Sequence, residues 1–355
     1  MQVPINFKFY LMQNSVRNLI YFIFLLLTSS QIKAQDIHFS QFFDAPLLRN
    51  PSLAGLFAGD IRFQSIYKTQ WKSVTAPYQT VSLNGEYKFQ VGQSEDFMTI
   101  GGQILYDKAG SVALSSTQIL PVLNYHKSLS NVKNMYLSLG FMGGLVQRKL
   151  DRSKITTNSQ FDGNDYNGNL ADGETFNQSA YTYFDGTAGL SFNTELGDHA
   201  DDNMYIGIAY HHFNKAAKNS FYGNNNIEII PKLVFSGGIR LSTAENSFIT
   251  VEADYSKQGP VTEIIGGLIY SLKLDDIDQP KYLFHGGIIL RWNDAVIPVA
   301  KLEIRPITFS ISYDANISKL SSASNGRGGC ELGISYQKYI NRDNSSREAV
   351  RCPKF

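Results

Sequence analysis

Beyond residue 34 the chain has no apolar run long enough to cross a membrane as a helix, which takes about 20 residues. It has two cysteines, Cys330 and Cys352, too few to staple a small oxidised scaffold together. Neither sign of charge is in excess: 32 basic against 31 acidic residues leave +1, so nothing suggests nucleic acid as a partner. Tryptophan is scarce at 2, while Tyr (20) and Phe (23) are plentiful. A helical membrane bundle, a disulfide miniprotein and a basic nucleic-acid binder are thereby excluded.

The sequence does contain repeated alternation. In residues 79–89, Val81, Leu83, Gly85, Tyr87 and Phe89 fall on one face and Thr80, Ser82, Asn84, Glu86 and Lys88 on the other. Period two is a strand signature. Charges on the second face suit a membrane barrel, with lipid outside and a polar lumen inside. Fourteen such stretches follow in series: 61–71, 79–89, 97–106, 113–127, 135–148, 181–194, 204–213, 230–242, 248–256, 261–272, 282–292, 295–304, 307–315 and 330–340. The count is even, as in single-chain bacterial outer-membrane barrels, and the longest connections (149–180, 214–229, 316–329) all fall at one end. That end is expected to be extracellular. The tyrosines and phenylalanines suit interfacial girdles, and paired glycines inside the strands mark bends or close packing.

Three segments fall outside this pattern. Lys8 and Arg17 precede the apolar run Leu19–Leu27 and then Ala34, so residues 1–34 read as a cleaved signal peptide. Residues 35–59 contain Pro46 and Pro51 and no clean period. Irregular backbone cannot face lipid, so this segment belongs in the periplasm or in the lumen as a plug. Its aromatics Phe39, Phe42 and Phe43 need cover from the lumen wall or another protein. With Pro46, Asn50 and Pro51 they are the candidate plug or partner contacts. Residues 60–340 form the barrel. Residues 341–355 form a periplasmic tail in which Cys352, Pro353 and Phe355 are candidate partner contacts. A bridge between Cys330 and Cys352 would require that tail to enter the barrel.

Chemistry is sparse. His211 and His212 are adjacent in a strand, so they point to opposite faces and cannot chelate one ion; one is expected in the lumen or rim, the other at the lipid interface. Residues 161–174 (FDGNDYNGNLADGE) hold Asp162, Asp165, Asp172 and Glu174 but lack EF-hand spacing, and read as a solvated outer loop rather than a calcium site. No signature singles out a serine, a histidine and an orienting group. No catalytic residue, metal or cofactor is expected.

The motif DIHFSQFFDAPLLRNPSLAG at 36–55, then YKTQWKSV at 67–74, resembles the PorP/SprF family of type IX secretion outer-membrane proteins of Bacteroidota. YDKAG at 106–110, DAVIP at 294–298, YDANISKL at 313–320, RGGCELGISY at 327–336 and CPKF at 352–355 fit the same family, in the same order. The resemblance implies an integral outer-membrane barrel serving secretion or gliding motility. It implies association with secretion components, including a periplasmic peptidoglycan-linked partner, and with cargo such as large adhesins carrying C-terminal sorting domains. The alternative that pore physics allows is a hatch-gated diffusion channel for small solutes or lipids.

Overall fold

A computed structural model describes residues 36–70, 76–92, 95–130, 132–197, 202–215, 217–218, 220–223, 227–277, 279–318, 326–340 and 355. The expected signal peptide lies outside the described residues.

The alternating stretches form strands β1 Ile61–Gln70, β2 Tyr78–Gln90, β3 Phe97–Ala109, β4 Leu114–Ser128, β5 Met135–Lys149, β6 Ala180–Glu195 and β7 Asn203–His211. A short pair follows, β8 Ala217–Lys218 and β9 Ile227–Glu228. The series resumes with β10 Lys232–Ala244, β11 Ser247–Gln258, β12 Val261–Lys273, β13 Tyr282–Arg291, β14 Ala295–Ile304, β15 Ile307–Asn316 and β16 Arg327–Lys338. All but β8 and β9 close into one antiparallel barrel of fourteen strands, β1 pairing with β16. Closure leaves no edge with unpaired N–H and C=O groups, which is what a sheet in lipid requires. The long connections after β5, β7 and β15 share one end; the turns at the other, such as those after β10 and β14, are short.

The outer surface divides by height. Leu83, Ile104, Leu123, Leu139, Ile208, Leu268 and Ile311 project outward from mid-strand. Exposed tyrosines ring both ends: Tyr67, Tyr106, Tyr210, Tyr255 and Tyr313 toward the long loops, and Tyr87, Tyr125, Tyr270 and Tyr282 toward the short turns. An apolar band between aromatic girdles is the surface of a bilayer-spanning barrel. Pro121 and Pro298 are tolerated because each keeps its pairing on one side, with β3 and β13 respectively, while the other ladder skips a step.

The alternating inner face is not a watery lumen. Ser138 is 1% exposed and its hydroxyl lies 2.7 Å from His126 Nδ1. The expectation from alternation alone is that a charge at Ser138 is far milder than one at Leu139, given space. The packed interior removes that space. Leu139→Arg puts a charge into mid-bilayer at about 2–4 kcal/mol, and Ser138→Arg is expected to disrupt the barrel as well. Heat-modifiable mobility on gels checks both; a fully folded Ser138→Arg barrel would contradict the filled interior.

Candidate functional site: a lumen filled by the N-terminal segment

Residues 37–59 form no strand. They run through three single turns, Phe42–Asp44, Pro46–Arg49 and Pro51–Leu53, with Pro46 and Pro51 opening the second and third. Proline is suited to a first turn because that position needs no N–H. Backbone outside a ladder still needs partners when buried, and inward side chains of the wall supply them. Glu331 of β16 accepts from the N–H groups of Ser40 (2.7 Å) and Gln41 (2.8 Å). Glu86 of β2 accepts from Gly55 N–H (2.7 Å), and Lys88 donates to the carbonyls of Gly55 and Phe57. Lys68 donates to His38 O, and Asn124 of β4 to the carbonyls of Ser52 and Ala54. The segment is thus bonded to β1, β2, β4 and β16 through its backbone alone.

Its own charged side chains complete the attachment. Arg49 reaches Asp254 through Nε (2.7 Å) and Nη2 (2.6 Å), Glu252 through Nη1 (2.7 Å), and Tyr205 Oη (2.6 Å). All four side chains are buried. A planar guanidinium matched to a carboxylate by two parallel bonds is the strongest form of this contact. Asp44 pairs with Lys301 at 2.8 Å, and Ser40 Oγ sits between Asp314 (2.8 Å) and Arg291 (3.0 Å). Glu86 and Lys88, whose polarity marks the lumen face in the sequence, and with them Glu252, Asp254 and Asp314, are therefore the groups that hold the segment rather than groups bathed in water.

Asn50 and Pro51 press against bare backbone. Asn50 Oδ1 accepts from Ser52 N–H (2.9 Å), while Nδ2 donates to Ile208 O (3.2 Å). Facing them are Gly140, Gly189 and Gly207 on β5, β6 and β7. A Cβ at Gly140 would lie 2.5 Å from Pro51 backbone atoms, one at Gly189 would overlap Asn50 Oδ1, and one at Gly207 would sit 2.7 Å from Nδ2. Gly140 and Gly189 pair directly and Gly207 lies diagonally across on β7, and together they leave a recess for one turn of chain.

The aromatics separate by role. Phe39 is buried with Ala45, Ile66 and Leu105. Phe42 is buried against Ile265, Ile289, Ile297 and Val299, with the Arg49 guanidinium 4.7 Å from its ring centroid. Phe43 is only partly buried; it and Pro46 line a cavity of about 260 Å³ between the segment and the short-turn end. Phe355 lines the same cavity, with its ring packed on Leu53, Leu56 and Tyr205. Cys352 and Pro353 lie outside the described residues, and so does the pairing of Cys330 with Cys352.

The histidine expectation needs correction. His211 is buried, with Nε2 3.1 Å from Arg49 O, but His212 does not face lipid. It sits just past the end of β7 with φ of 56°, which breaks the alternation, and its Nδ1 lies 2.8 Å from Asp185. The two longest loops are also joined: Asn177 and Gln178 bond to Phe221, Tyr222 and Ser220. In the connection after β5, Asp162 accepts from the N–H groups of Asn164 and Asp165 and so closes a turn. Among the described residues no group of three His, Cys, Asp or Glu side chains is placed to hold an ion.

Fold and lumen together define an outer-membrane β-barrel whose interior is filled by its own N-terminal segment. Residues 31–336 match the type IX secretion system membrane protein PorP/SprF family, and the chain belongs to it. No curated protein matches the chain. Among solved structures it is similar to the Pseudomonas putida toluene transporter TodX, at 11% identity and TM-score 0.46 over 84% of this chain and 94% of that one. It is also similar to the KdgM porin, at 10% and 0.35 over 78% and 98%. The translocator domain of the autotransporter NalP from Neisseria meningitidis matches at 7% and 0.40, over 78% and 87%.

Arg49→Ala leaves Glu252 and Asp254 buried without their cation, and loss of one partner of a buried pair costs about 3–5 kcal/mol. Gly189→Val should act from the wall side by excluding Asn50. Both variants are expected to lower the unfolding temperature in detergent and to expose residues 37–59 to limited proteolysis. Wild-type proteolysis kinetics in both would contradict the assigned attachment.

Proposed function

We propose that this barrel supports export or surface attachment of cargo proteins, such as large adhesins with C-terminal sorting domains, and has no reaction of its own. The observation that carries the reading is a family of secretion-system membrane proteins combined with a lumen occupied by covalently attached chain. A conduit for solutes gains from an open bore. A docking barrel gains from a rigid one, because a filled interior holds loops and rims in place without leaking. In this reading residues 1–34 are a cleaved signal peptide, and the barrel is integral to the outer membrane. The long-loop end is extracellular, and the short-turn end meets secretion components, including a periplasmic partner linked to peptidoglycan. The other reading is a hatch-gated channel for small solutes or lipids, favoured by the cavity beside Phe43.

Planar-bilayer recording separates the two: the intact protein is expected to stay closed, and a high steady conductance without secretion partners would favour the channel. Protease added to whole cells is expected to cut within residues 149–180 and to spare residues 90–95; equal protection of both in an assembled barrel would reverse the orientation. For coupling to cargo, Phe43→Ser is more informative than any change at Phe42, whose removal costs about 3–5 kcal/mol as a core truncation. Phe43→Ser should leave a heat-modifiable barrel and reduce surface display of the cognate adhesin. Normal display would reduce the segment to a plug.

A further inference from the structure

The segment that fills the lumen has a direction. Its last residues sit at the short-turn end. Asp60 N–H donates to the carbonyl of Lys338, the last residue of β16 (3.0 Å), and Lys88, near the short-turn end of β2, holds the carbonyls of Gly55 and Phe57. Ile37 and His38 stand at the opposite end. His38 O accepts from Lys68, near the long-loop end of β1 (2.9 Å), and His38 Nδ1 lies 3.5 Å from Glu263, near the long-loop start of β12. Lys232, the first residue of β10, shares a small crevice with both. Between these limits the attachments follow in order: Ser40 and Gln41 on Glu331, Arg49 on Asp254, Ser52 and Ala54 on Asn124. Read backward from Asp60, the chain climbs the inside of the barrel to the level of the long loops.

Nothing in the lumen lets the chain turn back at that point. Phe39 is buried with Ala45, Ile66 and Leu105, and Phe42 closes the next layer against Ile265 and Ile289. The crevice beside Ile37 and His38 measures about 40 Å³, room for a few water molecules and not for a returning backbone. A sideways exit is closed as well, because irregular backbone cannot enter lipid. The remaining way out is over the long-loop rim. An even strand count puts the start of β1 and the end of β16 at one end of the barrel. The climbing segment undoes that symmetry on the N-terminal side.

We propose that the lumen is a guide for the barrel's own N-terminal chain, and that whatever precedes Ile37 is delivered to the face bearing the long loops, opposite the end of β16. The choice of face rests on the segment's path alone. Its identity as the cell surface rests on the orientation given under Proposed function. In that orientation one covalent segment reaches both faces of the membrane: Ile37 and His38 lie toward the surface, and Phe43 lines the cavity at the short-turn end.

The test uses the full-length protein in the outer membrane, with Cys330→Ser and Cys352→Ser removing the native thiols. Three variants each add one thiol: Asp36→Cys ahead of the segment, Lys154→Cys in the connection after β5, and Glu245→Cys in the turn after β10. Heat-modifiable mobility confirms a folded barrel in each. With a membrane-impermeant maleimide on intact cells, Asp36→Cys should label together with Lys154→Cys, and Glu245→Cys should label only once the outer membrane is permeabilised. Asp36→Cys labelling together with Glu245→Cys instead would overturn the proposal. If Glu245→Cys and not Lys154→Cys labelled on intact cells, the assigned orientation would fail, and the proposal would still be decided by which of the two Asp36→Cys follows. A short epitope inserted between Gln35 and Asp36 gives a second readout. Antibody should reach it from the same side as the same epitope placed after Lys154. Access only from the side that exposes the epitope placed after Glu245 would overturn the proposal equally.

Discussion

A buried peptide group that is not part of a ladder must find a partner, and in this barrel the wall provides partners for its own N-terminal segment. The N–H groups of Ser40, Gln41 and Gly55 and the carbonyls of His38, Ser52, Ala54, Gly55 and Phe57 are bonded to side chains that project inward from strands. Glu331 alone satisfies two consecutive amides, and Lys88 two carbonyls. An isolated hydrogen bond adds only about 0.5–1.5 kcal/mol net, yet leaving one of these groups unpaired costs about 1–3 kcal/mol. The asymmetry ties wall and segment together more firmly than the sum of favourable contacts does.

From this follows a division of labour along every strand. Outward positions answer to lipid, as Leu83, Leu139 and Ile311 do, and their exact identity matters little if they remain apolar. Many inward positions answer to one particular residue of the segment, while others, such as Thr80 with Asp107 and Gln103 with Ser82, bond across the wall. Asp254 and Glu252 match Arg49, Lys301 matches Asp44, and Gly140 with Gly189 leaves room for Pro51 and Asn50. An interior built this way is held by matched contacts between wall and segment, in a chain of a secretion-system membrane family. The cavity beside Phe43 and Phe355 is where the filling stops, and it opens toward the short-turn end.

The barrel was legible because its signal is local. Alternation in residues 79–89 already separates Glu86 and Lys88 from Leu83 and Tyr87, and the same two-residue period yields the strand count and common end for the long loops. The irregularity of residues 35–59 was legible too, from Pro46, Pro51 and the absence of a period. What fills the lumen was not, because its contacts join residues far apart in the chain: Arg49 with Glu252 and Asp254, Ser40 with Asp314. Gly140, Gly189 and Gly207 look like any strand glycines until Asn50 and Pro51 are set against them. His212 was misplaced because a positive φ at a strand end defeats alternation, and the β8–β9 pair was missed because two-residue strands carry no period.

Amide hydrogen exchange of the intact barrel in detergent tests the central claim most directly, residue by residue. If the wall holds the segment, the N–H groups of Ser40, Gln41 and Gly55 should be protected to the same degree as amides in β2 and β16, despite belonging to no ladder. Exchange of those three amides at the rate of an exposed loop, with the strands still protected, would contradict the account.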